Sequence, residues 1–106
     1  MGQIVAVVYR PKAGRADDLL HLIREHVPTL RAEGLAAERA PLVMRAADGT
    51  LVEIFEWESP EAIERAHTNP TVLALWGRFS ECCEYGTLAS LPESQRPFSP
   101  FQPVIL

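Results

Sequence analysis

The chain has 106 residues, a formal charge of −4 and 47% apolar residues, enough for one domain with one modest core. Its ten Lys and Arg residues are scattered and form no basic stripe, so a nucleic-acid surface is not expected. No apolar run approaches the roughly 20 residues that cross a bilayer, Met1-Gly2-Gln3-Ile4-Val5 has no basic leader region, and Ala6 stands where a myristoylation signal wants Ser or Thr; the expectation is a cytoplasmic protein working away from membranes.

Ile4 to Tyr9 is apolar at nearly every position, the pattern of a strand covered on both faces. Pro11-Lys12-Ala13-Gly14 breaks it. A helix follows, with Asp17 and Asp18 in the first turn, where the helix dipole favours negative charge. Its predicted buried stripe is Leu19, Leu20, Ile23, Val27 and Leu30. Pro28 lacks a backbone donor and is expected to kink or split this helix, and Gly34 to end it. His21 and His26 sit on the same helix. His26 reaches the edge of the stripe, but solvent exposure is expected for both.

Ala36 to Ala46 reads as a second strand weakened by Pro41. Asp48-Gly49 signals a two-residue hairpin turn into a third strand, Thr50 to Glu58. Leu51, Glu53, Phe55 and Trp57 share one face of that strand, and Val52, Ile54 and Glu56 the other. Ser59-Pro60 and Asn69-Pro70 each combine an N-cap with a proline suited to the first helical position. They open two helices, Pro60–His67 and Pro70–Tyr85, the longer with Val72, Leu73, Trp76, Phe79 and Cys83 along its buried side. Gly86 ends it, and Thr87–Leu91 is the candidate fourth strand. Cys82 and Cys83 are adjacent, so a disulfide between them is strained and no metal spacing exists. They read as reduced thiols.

The order strand, helix, strand, strand, helices, strand is the split βαβ plan of the ferredoxin-like fold. It gives an α+β domain over residues 1–91, with a four-stranded antiparallel sheet and helices on one face only. The other face would expose more apolar surface than a monomer usually does, and a second copy of the same sheet is the simplest cover. A homodimer through the open sheet face is therefore expected. Residues 92–106 carry four prolines, which favour an extended chain. Phe98, Phe101, Val104, Ile105 and Leu106 make the segment too apolar for a solvated tail. It is expected to form an arm packed on the domain or on the partner subunit.

Trp57, His67 and Asn69 fall at strand-to-helix and helix-to-helix junctions, where small α/β domains build pockets. Each has a plainer role beside the functional one. Trp57 can be a core residue or a hydrogen-bond donor to a ligand; His67 can cap a helix, line a pocket or act as acid/base; Asn69 reads chiefly as an N-cap. Phe55, Leu73, Trp76 and Phe79 supply apolar walls or simply core. Glu53, beside Phe55 and Trp57, is expected to pair with Arg39 or Arg45, the alternative being a desolvated base. No Gly-rich phosphate loop, Cys/His metal spacing or nucleophile elbow is present, so no cofactor or metal is expected.

In its ordered features the chain resembles the antibiotic biosynthesis monooxygenase family of dimeric α/β-barrel proteins. These are the apolar first strand running into Arg10-Pro11-Lys12-Ala13-Gly14, Phe55-Glu56-Trp57-Glu58-Ser59, Glu61-Ala62, Ala66-His67 and Asn69-Pro70-Thr71-Val72. The resemblance implies a cofactor-free oxygenase of a small aromatic or quinol-like compound, whose deprotonated ring reduces O₂ directly. The protein then supplies a dry pocket, a proton acceptor and hydrogen bonds to the anion. On that basis His67 is the acid/base candidate, with Trp57 and Asn69 as orienting donors. The haem-degrading branch fits poorly: the first strand has no Asn, and Trp76 stands near the position of the ligating His. A non-catalytic ligand-binding or stress-associated dimer, or a proton-transfer isomerase, would use the same pocket.

Overall fold

The computed structural model describes residues 1–106. The elements are β1 (Gln3–Pro11), α1 (Ala16–Ala32), β2 (Leu42–Arg45), β3 (Leu51–Trp57), α2 (Pro60–Ala66), α3 (Pro70–Cys82), β4 (Cys83–Gly86) and β5 (Gln102–Val104). Two short 3-10 turns, Leu88–Ser90 and Pro92–Gln95, lie between the last two strands. All pairings are antiparallel, in the order β4-β1-β3-β2-β5. The result is an α+β fold with three helices packed on one side of a five-stranded sheet. No helix is long and apolar enough to cross a membrane.

Strand alternation sorts the side chains. Val5, Val7 and Tyr9 of β1 and Leu51, Phe55 and Trp57 of β3 pack with helix residues such as Ile23, Val27, Val72 and Phe79. Val8 and Val52 point the other way and meet Ala46 and Leu91 in a small outer cluster with Phe101 at its edge. The C-terminal arm thus covers part of the outer face, while Ile4 and Leu42 remain exposed.

Several expectations are corrected. The sheet has five strands, because the arm adds β5 along β2, with Val43 opposite Val104. The fourth strand begins at Cys83, where a helix was expected to continue, and residues 88–90 form a 3-10 turn. The free edge of β1 explains this: it pairs with Cys83–Gly86, and the Lys12 N–H captures the Cys82 carbonyl at 2.8 Å. β2 is shorter than expected because the Arg31 guanidinium binds the carbonyls of Ala37, Glu38 and Arg39 at 3.0, 2.9 and 2.7 Å. Those groups are thereby withdrawn from a sheet ladder. Pro28 does not split α1; it lies on the exposed side, where water can satisfy the carbonyl one turn back. The hairpin forms at Asp48-Gly49, but its loop has three residues, Ala47 to Gly49, not two: the Ala46 N–H donates to the Thr50 carbonyl at 2.8 Å. Gly49 alone takes a positive φ, +93°, and the Asp48 carboxylate accepts the Thr50 N–H at 2.9 Å. That bond holds the Asp48 carboxyl below its ordinary value.

The buried stripe of α1 is Leu19, Leu22, Ile23, His26, Val27 and Leu30. His26 is a core residue, not a surface one. On α3 the stripe is Val72, Leu75, Phe79 and Cys82. Leu73, expected on it, lies one helical step round from Val72 and is 46% exposed.

Candidate functional site

Between the sheet and the helices lies a cleft of about 490 Å³. β1 contributes Val5, Val7 and Tyr9, β3 contributes Phe55 and Trp57, and β4 contributes Tyr85; α1 adds His26, and α3 adds Trp76 and Ser80. The walls are mostly apolar and aromatic, as small-molecule sites tend to be.

A buried polar network runs along one side. Glu53, fully buried, sits opposite Val7 in the β1–β3 register, with Tyr9 one pleat further on the same face. That diagonal lets the Tyr9 hydroxyl donate to Glu53 Oε1 at 2.7 Å. From α1, His26 Nδ1 meets the same oxygen at 2.8 Å. From α3, Trp76 Nε1–H donates to His26 Nε2 at 3.1 Å.

These contacts fix the tautomer of His26. An indole nitrogen only donates, so His26 Nε2 must be the acceptor and carries no proton. The ring proton therefore sits on Nδ1 and is donated to Glu53. The His26 ring thus carries one proton, and Oε1 of Glu53 receives two hydrogen bonds. Burial, and then the charge of Glu53, push the Tyr9 hydroxyl well above its ordinary value, so it stays a donor. Burial first, then Cys83, push Tyr85 at the cleft mouth up to about 12. The His26 ring is wedged edge-on between Phe55 and Phe79, at centroid distances of 5.2 and 5.1 Å.

The chemical capacity follows from this geometry. One imidazole nitrogen is held by a carboxylate, which stabilises the imidazolium that forms when the other nitrogen takes a proton. That other nitrogen, on the Trp76 indole N–H, borders a largely apolar cleft, where an imidazolium and the anion formed by giving up the proton are poorly screened from each other by water.

Of the residues singled out in the sequence, Phe55, Trp57 and Trp76 line this cleft, and Glu53 anchors its network. Glu53 does not pair with an arginine: Arg39 binds Glu56 at 2.8 Å on the outer face, because strand alternation turns Glu53 inward. Phe79 lies in the core behind the site, stacked on Tyr9 at 5.2 Å. Leu73 faces outward.

His67 is exposed at the end of α2, with its Nδ1 on the Ile63 carbonyl at 2.8 Å. It is not a lining residue; its ring touches the cleft only indirectly, edge-on to Trp76 at 5.2 Å. Asn69 caps α3 by accepting the Val72 N–H at 3.1 Å and donates to Glu33 at 2.9 Å. The imidazole that lines the cleft is therefore His26, for which solvent exposure is expected from the sequence. The signal was present: Leu19, Ile23, His26 and Leu30 are spaced at four, three and four, so His26 belongs to the buried stripe.

No family model matches the chain, and no curated protein matches it. Among solved structures it is similar to that of Rv0793 from Mycobacterium tuberculosis, with 20% sequence identity and a TM-score of 0.64 over 81% of this chain and 89% of that one. Likeness at that identity speaks for a shared fold alone.

Proposed function

We propose that the chain is a small cofactor-independent monooxygenase, of the antibiotic biosynthesis monooxygenase type, that oxidises an aromatic or quinol-like compound with O₂. The observation that carries the reading is the His26–Glu53 pair at the wall of an aromatic cleft, with Nε2 left as an acceptor that only the Trp76 indole N–H occupies. His26 takes a proton from a phenolic or enolisable substrate, and Glu53 stabilises the resulting imidazolium. The substrate anion, held among Phe55, Trp57 and Trp76, is electron-rich enough to reduce O₂. For an anthrone-type ring the methylene carbon gains one oxygen as a carbonyl, and the second oxygen leaves as water. The electrons and atoms balance without any further reductant.

The strand order and helix placement support a ferredoxin-like plan. The apolar outer face left open beside the arm, with Ile4, Ala6, Leu42 and Ile54, supports a homodimer of the dimeric α/β-barrel kind.

Oxygen uptake with a panel of hydroquinones and anthrones tests the activity. Wild type and His67→Ala should consume oxygen, and His26→Ala should fall to the buffer rate, a loss of about 10²-fold or more. No uptake by wild type would overturn the oxygenase reading for that panel. Since the pair itself only moves a proton, wild-type turnover of an enolisable compound under argon would favour the isomerase reading.

A further inference from the structure

We infer that the Trp76 indole is a displaceable plug on the base: a ligand reaches His26 only by bringing its own hydroxyl to replace the indole N–H. This rests on His26 being the proton acceptor of the cleft, and it adds a rule for which ligands are admitted. A neutral imidazole has one lone pair for hydrogen bonding, and here Trp76 occupies it at 3.1 Å. The Nδ1–H is committed to Glu53 at 2.8 Å. Nothing can be deprotonated by His26 while both bonds stand.

The two bonds differ in what holds them. Glu53 and Tyr9 are fully buried in the sheet, and neither can leave without exposing a carboxylate or a hydroxyl to the core. Trp76 is only half-buried. Its ring stands between Trp57, 6.4 Å away and edge-on, and the exposed His67, 5.2 Å away. An indole N–H that leaves His26 can be met by water at the cleft mouth, so displacement strands no donor. The acceptor Nε2 must be satisfied in turn. A phenolic or enolic hydroxyl does so, and an ether of the same shape does not, because it has no proton to give. The ether must bind beside the plug or leave a buried acceptor unpaired, which is costly. Trp76 thus acts as a specificity-determining residue through His26: it makes the proton to be abstracted the condition of entry.

The test uses 2-naphthol and 2-methoxynaphthalene, under argon so that binding is read apart from turnover. In wild type, saturating 2-naphthol should shift the Trp76 indole N–H resonance and speed its exchange with water, and 2-methoxynaphthalene should not. In Trp76→Phe, which keeps an aromatic wall but removes the donor, the ratio of naphthol to methoxynaphthalene affinity should rise about tenfold, the equivalent of one net hydrogen bond no longer displaced. Adding His26→Ala should abolish the ratio. An indole resonance unmoved by saturating naphthol, affinities for both compounds that fall together in Trp76→Phe, or no naphthol binding at all would each overturn the plug. A raised ratio without oxygen uptake would leave the plug standing and the oxygenase reading overturned.

Discussion

Glu53 and Glu93 are both buried carboxylates with one oxygen bonded and the other without a partner, yet they sit in very different company. Glu93, 9% exposed, accepts a single backbone N–H from Ala47 at 2.9 Å, where the arm crosses the end of the hairpin. Glu53 is fully buried, and its bonded oxygen is shared by two side chains, Tyr9 and His26. A backbone amide neither gains nor loses a proton, so Glu93 can only tie the arm down. An imidazole and a phenol can move protons, so Glu53 can bias their chemistry. The difference puts side chains able to move protons on one side of the sheet and an attachment point for the arm on the other.

The largest effect that would break this contrast is on stability. Glu53→Ala strands the Tyr9 hydroxyl and the His26 Nδ1–H and opens a void. It should cost about 3 kcal/mol, against about 1 kcal/mol for Glu93→Ala, read from urea midpoints. Equal costs would mean that the two glutamates do the same job. Tyr9→Phe keeps the stack on Phe79 and leaves His26 on Glu53, so about 1 kcal/mol is expected there.

Alkaline titration sharpens the contrast further. Cys83, packed on the helix side, has its thiol pushed by burial and then by Cys82 from 9.0 up to about 11. The folded chain therefore keeps a proton that the unfolded chain loses. The associated stability is fully present below pH 9 and disappears as pH rises toward 11. Unfolding midpoints taken from pH 8 upward should decline over that window in wild type and in Glu93→Gln. In Cys83→Ala the decline should start later, since the tyrosines Tyr9 and Tyr85 are next to titrate. Smallest of all, Leu73→Ser should move the midpoint by no more than about 0.5 kcal/mol, as befits an exposed position.

Much of the fold was legible where chemistry is local. The Ser59 and Asn69 caps, the Asp48-Gly49 turn and the alternation of β3 are each decided within a few residues. What escaped was decided at a distance. The end of α3 is set by the edge of β1, the shortness of β2 by Arg31, and the fifth strand by an arm that finds β2 as its neighbour. The site divides in the same way. Phe55, Trp57 and Trp76 are legible as walls from their positions, whereas the partners of Glu53 (Tyr9 and His26) lie on other elements and leave no local signal. Residue type suggests solvent for His26 while its spacing on α1 puts it in the buried stripe, and the junction that makes His67 a candidate is also where it bonds back to its own helix.

His26 stands at the cleft wall with its ring proton on Nδ1, held by Glu53, and Nε2 as the acceptor. Long-range nitrogen–proton correlation on the unliganded protein near neutral pH reads the tautomer directly. A protonated Nδ1 and a bare Nε2, the pattern shifting when Glu53 is replaced by Gln, is the expected result. A proton on Nε2, or a ring that averages freely between tautomers, would contradict it.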